Sequence, residues 1–189
     1  MNADELIGMI HGRRSPLRLI EPTPIDGEIT RIIEAAAAAP DHGRLQPWRF
    51  TIVSGEGRRR LGEAFAKAQL AKNATASASS LDAERAKPMR SPMIIVVSAK
   101  LVDKGNNIPA VEQLMAVAAA VQNMMLAAHS LGYATWWKTG AAAYSSEVKL
   151  ALGLASQEEI VAFLHIGTAD GPAPPPRPKC EPIVSYFRE

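Results

Sequence analysis

The sequence predicts a single α+β domain over residues 1–189, with a few strands, helices around them and an extended C-terminal arm. Two short runs of β-branched and apolar residues, at 93–98 and 160–166, have the length expected of buried strands. The segment from Pro109 to Leu131 is apolar nearly all round, which is typical of a helix at the centre of a structure. A chain of this size rarely covers so long a helix by itself, so we expect a subunit interface as the second layer. The tail from residue 171 onward contains six prolines and is expected to run extended over a surface.

The remaining elements follow in order from local signals. Apolar spacing predicts a short helix over 3–11, ended by Gly12. A second helix is predicted to begin at Thr23 as the cap, with Pro24 in its first position, and to end at Pro40. Its apolar face is predicted to comprise Ile25, Ile29, Ile32, Ile33 and Ala36. Further strands are predicted at 46–53 and 133–137, and further helices at 58–72 and 145–152. Residues 73–92 lack firm periodicity and are predicted to form a mobile excursion.

Composition excludes several classes of protein. Hydrophobic residues make up 47% of the chain and charged residues 21%, which is a globular composition. The formal net charge is only +2, which does not call for nucleic acid as a partner. The single cysteine, Cys180, cannot form an internal disulfide, and the four histidines lack the spacing of a metal site, so no metal is expected.

Location is inferred from the N-terminus and from the longest apolar stretch. The first five residues include two acids, Asp4 and Glu5, and no apolar core, so no signal peptide is expected. Residues 114–131 include Gln122, Asn123 and His129, which are costly to bury in lipid. We therefore expect a cytoplasmic protein without a membrane span.

The first of three polar clusters is Arg13-Arg14-Ser15, directly after the opening helix. Arginine forks and a hydroxyl suit a phosphate group, which accepts charge-assisted hydrogen bonds. The alternative is a basic turn at a helix C-terminus, where arginines interact favourably with the helix dipole. Taken alone, this cluster favours the basic turn.

The second cluster is the loop from Ala39 to Trp48, between a helix end and a strand start. His42 and Gln46 offer hydrogen-bonding groups, and Trp48 offers a flat apolar wall, so the loop could hold the edge of a planar heterocycle. The loop could equally be an ordinary connector whose tryptophan belongs to the core.

The third cluster comprises Trp136, Trp137, Lys138, Thr139 and Gly140, after the long helix and a short strand. Two tryptophans followed by a lysine could stack on a ring and bring a positive charge close to it. Core tryptophans followed by a solvated lysine are the competing interpretation.

Gly55 and Gly57 resemble part of a dinucleotide fingerprint. Arg60 replaces the third glycine and the strand–helix alternation is absent, so we reject a dinucleotide-binding motif here.

In this order, the three clusters resemble the FMN contacts of the nitroreductase family, specifically its short single-domain NAD(P)H nitroreductase branch. The resemblance covers about residues 6–167, and Ser91-Pro92 and the run from Phe163 to Thr168 also match. It implies a sandwich with a mostly antiparallel central sheet, assembled as an intertwined homodimer with FMN in the interface. It also implies an oxidoreductase that passes hydride from NAD(P)H through N5 of FMN to nitroaromatics, quinones or similar electron-poor acceptors, in a ping-pong scheme. The flavin carries the chemistry, so no catalytic side chain is expected.

The resemblance also assigns site residues. Arg13, Arg14 and Ser15 would bind the phosphate and ribityl end of FMN, and His42 and Gln46 would reach FMN from the partner subunit. The residues expected along the isoalloxazine or its chain are Trp137, Lys138 and Thr139.

Some positions depart from the family pattern or remain open. Pro16 and Leu17 separate Ser15 from Arg18, so Arg18 departs from the family pattern and is assigned no role. Arg177 or Lys179 in the arm could reach the phosphate. The 73–92 excursion would shape the acceptor pocket. Two alternatives remain: the same scaffold reducing another acceptor, such as an enal, a semialdehyde or a halo-aromatic, or a flavin-free helical dimer that serves as an interaction module.

Overall fold

The structure is a computed structural model that describes residues 2–102, 108–172, 174–175, 177–178 and 180–188. Its helices are α1 (Ala3–Gly12), α2 (Asp26–Ala37), α3 (Glu56–Lys72), α4 (Ala78–Ala86), α5 (Ala110–Ser130) and α6 (Ser146–Ala151). Its strands are β1 (Leu19–Ile20), β2 (Trp48–Ser54), β3 (Met93–Ala99), β4 (Ala134–Lys138) and β5 (Glu159–Ala169).

The strands form one antiparallel sheet with β5 at its centre. β3 pairs with one edge of β5 and with β2, and every residue of β3 is buried. β4 and β1 pair with successive parts of the other edge of β5, at 163–167 and 168–169. The predicted α+β class and antiparallel sheet are therefore confirmed.

Helices cover both faces of this sheet because side chains of a strand alternate between its faces. On one face, Leu164 of β5 packs with Ile32 of α2 and Val117 of α5. On the other face, Phe163 packs with α3 and α6, and its ring meets that of Phe65 edge-on at 5.1 Å between centroids. The sheet thus separates an α2/α5 layer from an α3/α6 layer.

The long helix α5 is the central helix predicted from its apolar composition. Its buried side includes Val117, Val121 and Met124, which belong to the core. By length and hydropathy it meets the criteria for a membrane span, but its buried residues pack against α2 and the sheet, as in a core helix. On its other side Val111 and Met115 are 52% and 64% exposed.

Residues 73–92, for which the sequence predicts a mobile excursion without firm periodicity, contain a helix and a 3-10 turn. Residues 78–86 form α4, whose N-terminus is capped by the Ser77 hydroxyl accepting from the Ser80 amide, and a 3-10 turn follows at Lys87–Arg90. None of the α4 residues is buried, so no apolar stripe marks this helix in the sequence. The helix is held instead by its close approach to α3, where a Cβ on Gly62 would lie 2.6 Å from the Arg85 carbonyl oxygen.

Two predictions near the second helix are wrong. The helix begins at Asp26 rather than at Pro24, because Glu28 accepts a hydrogen bond from the Ile25 amide and no side chain caps the start from Thr23. Ile25 lies outside the helix and is 69% exposed, so it does not belong to the apolar face. The two-residue strand β1 was not predicted, since two residues are too few to carry an alternating pattern.

Candidate functional site

The Arg13-Arg14-Ser15 cluster directly follows α1, and Arg13 is the C-cap residue of that helix. Arg13 donates a hydrogen bond to the Ser15 hydroxyl at 3.2 Å, and Arg14 donates to the backbone carbonyls of His11 and Arg13. Arg177 of the C-terminal arm donates to the Arg13 carbonyl at 3.2 Å. The turn therefore gathers three guanidinium groups around one short stretch of backbone.

This cluster has an excess of positive charge. Burial and the neighbouring charges of Arg177 and Arg14 lower the pKa of Arg13, and burial and Arg13 lower the pKa of His129 at the end of α5. Within the described residues no carboxylate pairs with Arg13, Arg14 or Arg177. An anion would relieve the mutual repulsion of these groups.

Two other basic residues considered from the sequence are separate from this cluster. Arg18 is exposed and its Nε lies 3.0 Å from a carboxylate oxygen of Asp170. That carboxylate already neutralises Arg18, which argues against a phosphate contact. Lys179 lies outside the described residues.

The His42–Gln46 loop forms a tight turn between α2 and β2. Arg44 and Gln46 have φ values of +50° and +49°, a left-handed conformation that costs non-glycine residues about 1–3 kcal/mol each. The Gln46 amide donates to the Asp41 carboxylate at 2.6 Å, and His42 Nδ1 lies 2.5 Å from a Glu112 carboxylate oxygen at the start of α5. Strain of this kind is concentrated at functional sites.

Side chains of the loop differ in exposure. His42 and Gln46 are exposed, so their polar groups face away from the chain's own core. Trp48 is half-buried and packs on the α2/α5 core. The structure therefore supports the core interpretation for Trp48, whereas the Gln46 side chain and the His42 ring, which is held by Glu112 through Nδ1, are exposed to a ligand.

In β4, the neighbouring residues Trp137 and Lys138 of the third cluster point to opposite faces of the sheet. Trp137 packs on the α2/α5 core and its indole N–H donates to the Val161 carbonyl at 3.0 Å. Lys138 lies on the opposite face, with its ammonium group 3.6 Å from the ring centroid of Trp136. Trp137 and Lys138 can reach one ligand together only along the strand edge, since they point to opposite faces.

That strand edge is open, and Thr139 lies exposed directly beyond it. β4 pairs with β5 on one side, and no other strand of the described residues pairs with it. Its outer edge therefore carries backbone donors and acceptors that a flat heterocycle can use.

The structure does not bring the arginine cluster and the His42–Gln46 loop together within one chain. Arg13 lies beside His129 near the end of α5, and His42 lies beside Glu112 near its start. His129 and Glu112 are 17 positions apart in this helix. At a helical rise of about 1.5 Å per residue, these two places are about 25 Å apart. The two groups of predicted residues thus mark opposite ends of the central helix.

Sequence reasoning missed His165, which lies beside Lys138. Its Nδ1 lies 2.7 Å from the Ser91 hydroxyl, which itself donates to the Met93 carbonyl. The hydroxyl proton is thus in use, so His165 Nδ1 is the donor to Ser91. Burial, Lys138 and Arg90 lower the pKa of His165 to about 4, which keeps the ring neutral. No pattern in β5 distinguishes this histidine from its core neighbours.

The described part of the chain thus forms an antiparallel sheet between two helical layers, with the outer edge of β4 left unpaired. Comparison with known proteins agrees with it: the model of the nitroreductase family matches residues 10–168. The chain therefore belongs to the nitroreductase family and is an oxidoreductase.

Individual relatives cover nearly all of the chain. The protein named "Putative NAD(P)H nitroreductase YdjA" from Escherichia coli (strain K12) is 35% identical over 185 residues, covering 97% of this chain and 100% of the relative. A nitroreductase-like family protein from Bacillus cereus has a TM-score of 0.78 at 25% identity, covering 96% of this chain and 94% of its own. A nitroreductase with bound FMN from Bacteroides fragilis has a TM-score of 0.73 at 23% identity, covering both chains completely, and shows the shared fold.

Proposed function

We propose that this protein is an FMN-dependent NAD(P)H oxidoreductase of the cytoplasm. In this proposal hydride passes from NAD(P)H through FMN to nitroaromatics, quinones or similar electron-poor acceptors in a ping-pong cycle. Family membership and the name of the E. coli relative support the reaction class. The bound FMN of the B. fragilis neighbour supports the cofactor.

The observation that carries the proposal is the uncompensated positive charge around Arg13. The dianionic phosphate of FMN fits this turn, since it would accept hydrogen bonds from Arg13, Arg14 and Ser15 and offset the charge of Arg177. Binding of the phosphate would also raise the pKa of Arg13 back towards its ordinary value.

The distance along α5 supports a site shared between two subunits. Because one FMN cannot reach from the arginine turn to the His42–Gln46 loop of the same chain, each FMN would use the turn of one subunit and the loop of its partner. A twofold dimer formed through α5 would bring unlike ends of the two helices together. The exposed side of α5, with Val111 and Met115, would then be covered.

The open edge of β4 would hold the isoalloxazine. Backbone groups at Trp137, Lys138 and Thr139 would hydrogen-bond to the polar edge of the ring, and the Lys138 ammonium would supply positive charge beside it. When bound, FMN supplies the hydride-transfer chemistry that the side chains lack. The role of the chain is to bind, orient and polarise the cofactor.

The visible spectrum of the purified protein, followed by anaerobic titration with NADPH and NADH, tests the proposal. We expect a yellow protein whose flavin absorbance is bleached by one or both nucleotides and restored by nitroaromatics or quinones. A colourless protein that does not bind added FMN would instead favour a flavin-free interaction module. A flavoprotein that is reoxidised only by enals, semialdehydes or halo-aromatics would change the acceptor class but not the scaffold.

A further inference from the structure

A cavity of about 360 Å³ lies on the α3 side of the sheet, next to the strand edge proposed to hold the flavin. It is bounded by β4 and β5 on one side and by α3 and the 3-10 turn after α4 on the other, and it is open to solvent. The lining residues that give it its character are Phe65, Arg90, Trp136, Lys138, Phe163 and His165. A second, separate cavity of similar size shares Thr139 and Gly140 with it.

The lining of this cavity carries net positive charge. Lys87 is neutralised by Glu84, at 2.5 Å between Nζ and a carboxylate oxygen, and His165 is held neutral by burial. Within the described part of the chain, neither Arg90 nor Lys138 pairs with a carboxylate, and no acidic residue lines the cavity. Burial and the charge of Arg90 lower the pKa of Lys138, as expected of two cations that lack a shared counter-ion.

The remaining walls are aromatic. Phe65 and Phe163 form an edge-on pair, and Trp136 lies under the Lys138 ammonium with its ring 6.0 Å from that of His165. Such walls accept a flat apolar ring, while the cations accept a negative group attached to it. Ligand pockets of roughly 300–1,000 Å³ are usual, so this cavity suits a single ring rather than a dinucleotide.

We propose that this cavity binds the carboxylate of a small aromatic acid, with Arg90 as the residue that determines the preference for an anion. The assignment of this acid as the electron acceptor rests on the proposed function, which puts the flavin at the adjoining edge of β4. Arg90 is exposed at the cavity mouth, where its guanidinium can form paired hydrogen bonds with an entering carboxylate. Lys138 supplies the second positive charge from inside.

The hydrogen bond between His165 and Ser91 fixes the inner wall. With Nδ1 donating to Ser91, the other ring nitrogen, Nε2, carries no proton and adds no charge to the cavity. Among the described residues that line the cavity, the positive charge that attracts an anion therefore comes from Arg90 and Lys138.

Isothermal titration of the purified protein with 4-nitrobenzoate and 4-nitrobenzamide, in phosphate-free buffer, tests this inference. The two probes have nearly the same shape and differ in charge. We expect wild type to bind the carboxylate about tenfold or more tightly than the amide, as for a charge-assisted contact. Arg90→Gln should remove most of this preference, and Arg90→Lys should retain much of it. Arg60→Gln, which removes an exposed arginine of α3 away from the cavity, should leave the preference unchanged.

Equal binding of both probes by wild type, or an undiminished preference in folded Arg90→Gln protein, would overturn the inference. Steady-state turnover with the same pair of probes tests the acceptor role, and the ratio of kcat/KM values should fall in Arg90→Gln in the same way. The flavin spectrum is recorded in every sample. Absence of flavin would refute the proposed function. The titrations measure the preference for the carboxylate probe, and therefore test the anion site, whether or not flavin is present.

Discussion

Burial and the neighbouring guanidinium groups of Arg177 and Arg14 all lower the pKa of Arg13. Its hydrogen bond to Ser15 fixes the direction of the guanidinium, and the Arg177 contact brings the C-terminal arm to the same turn. A residue arranged in this way is prepared for an anion before the anion arrives, because little side-chain entropy remains to be lost on binding.

Replacement of Arg13 tests this role directly. We expect Arg13→Ala to weaken FMN binding by about 1.5–3 kcal/mol, roughly a ten- to hundredfold rise in Kd, because it removes charged hydrogen bonds to the phosphate. Fluorescence titration of apoprotein with FMN measures this change, with Arg60→Ala as the matched surface control. An Arg13→Ala protein with wild-type affinity for FMN would contradict the assigned phosphate site.

His165 makes the stability of the fold depend on pH. Its folded pKa of about 4 lies below the ordinary histidine value, so the unfolded chain binds the extra proton first as the pH falls. The stability due to the neutral ring is therefore complete above about pH 6.5 and is lost between about pH 6.5 and 4, by about 3 kcal/mol.

Urea unfolding at a series of pH values between 7 and 4 measures this loss, and His165→Gln is the comparison that removes the titrating ring. We expect the free energy of unfolding of the variant to fall less steeply over this window. Identical slopes for the two proteins would show that His165 is not buried in a neutral form.

At the scale of elements, α3 and α4 are the pair whose packing is most specific. Gly62 is required because a Cβ there would lie 2.6 Å from the Arg85 carbonyl oxygen, which is backbone and cannot move aside as a side chain could. We expect Gly62→Ala to destabilise the protein by about 1–3 kcal/mol through overpacking. Gly27→Ala is the control, since a Cβ at Gly27 meets nothing within 4 Å. Thermal unfolding that shifts equally in both variants would contradict this contact.

The same elements explain how much of the fold the sequence could predict. Strands β3 and β5 and the core-facing side of helix α5 are predictable because their buried apolar residues dominate the local sequence. Helix α4 was missed because its stability comes from contact with α3 rather than from an apolar stripe. Strand β1 was missed because its pairing with residues 168–169 is entirely non-local.

The candidate site was predictable to a different extent. The clusters at 13–15 and 42–46 stood out because charged and polar residues interrupt apolar elements there. Their separation along α5 could not be predicted from spacing, since it depends on which end of the helix each loop approaches. The cavity lined by Arg90, Lys138 and His165 could not be predicted either, because these residues come from three elements that are distant in the sequence.

At the scale of the whole molecule, several large apolar side chains lack cover in the single chain. They include Leu6, Ile7 and Ile10 of α1, Val111 and Met115 of α5, and Ile183, Val184, Tyr186 and Phe187 of the arm. Apolar groups exposed on this scale usually mark an interface. A dimer through α5, with α1 and the arm at its margin, would cover them.

A charge on the outer side of α5 tests this interface. We expect Met115→Glu to shift the protein from dimer towards monomer and to lower its FMN content, because a carboxylate would be buried in an apolar contact. Sedimentation velocity measures the mass, and Leu150→Glu, at an exposed leucine of α6 away from α5, should remain dimeric. A dimeric Met115→Glu protein with full FMN content would exclude this face as the interface.

The central claim is that the arginine turn of one subunit and the His42–Gln46 loop of the other enclose a single FMN. Mixed dimers test it most directly: one chain carries Arg13→Ala with Arg14→Ala, the other carries His42→Ala with Gln46→Ala, and distinct affinity tags allow the mixed species to be isolated. If the claim is right, one site of each mixed dimer contains all the native residues and the other contains none of them. We predict one FMN bound per mixed dimer with wild-type affinity, although both parent homodimers bind FMN weakly. Mixed dimers that bind FMN no better than the parents would mean that each site lies within one chain.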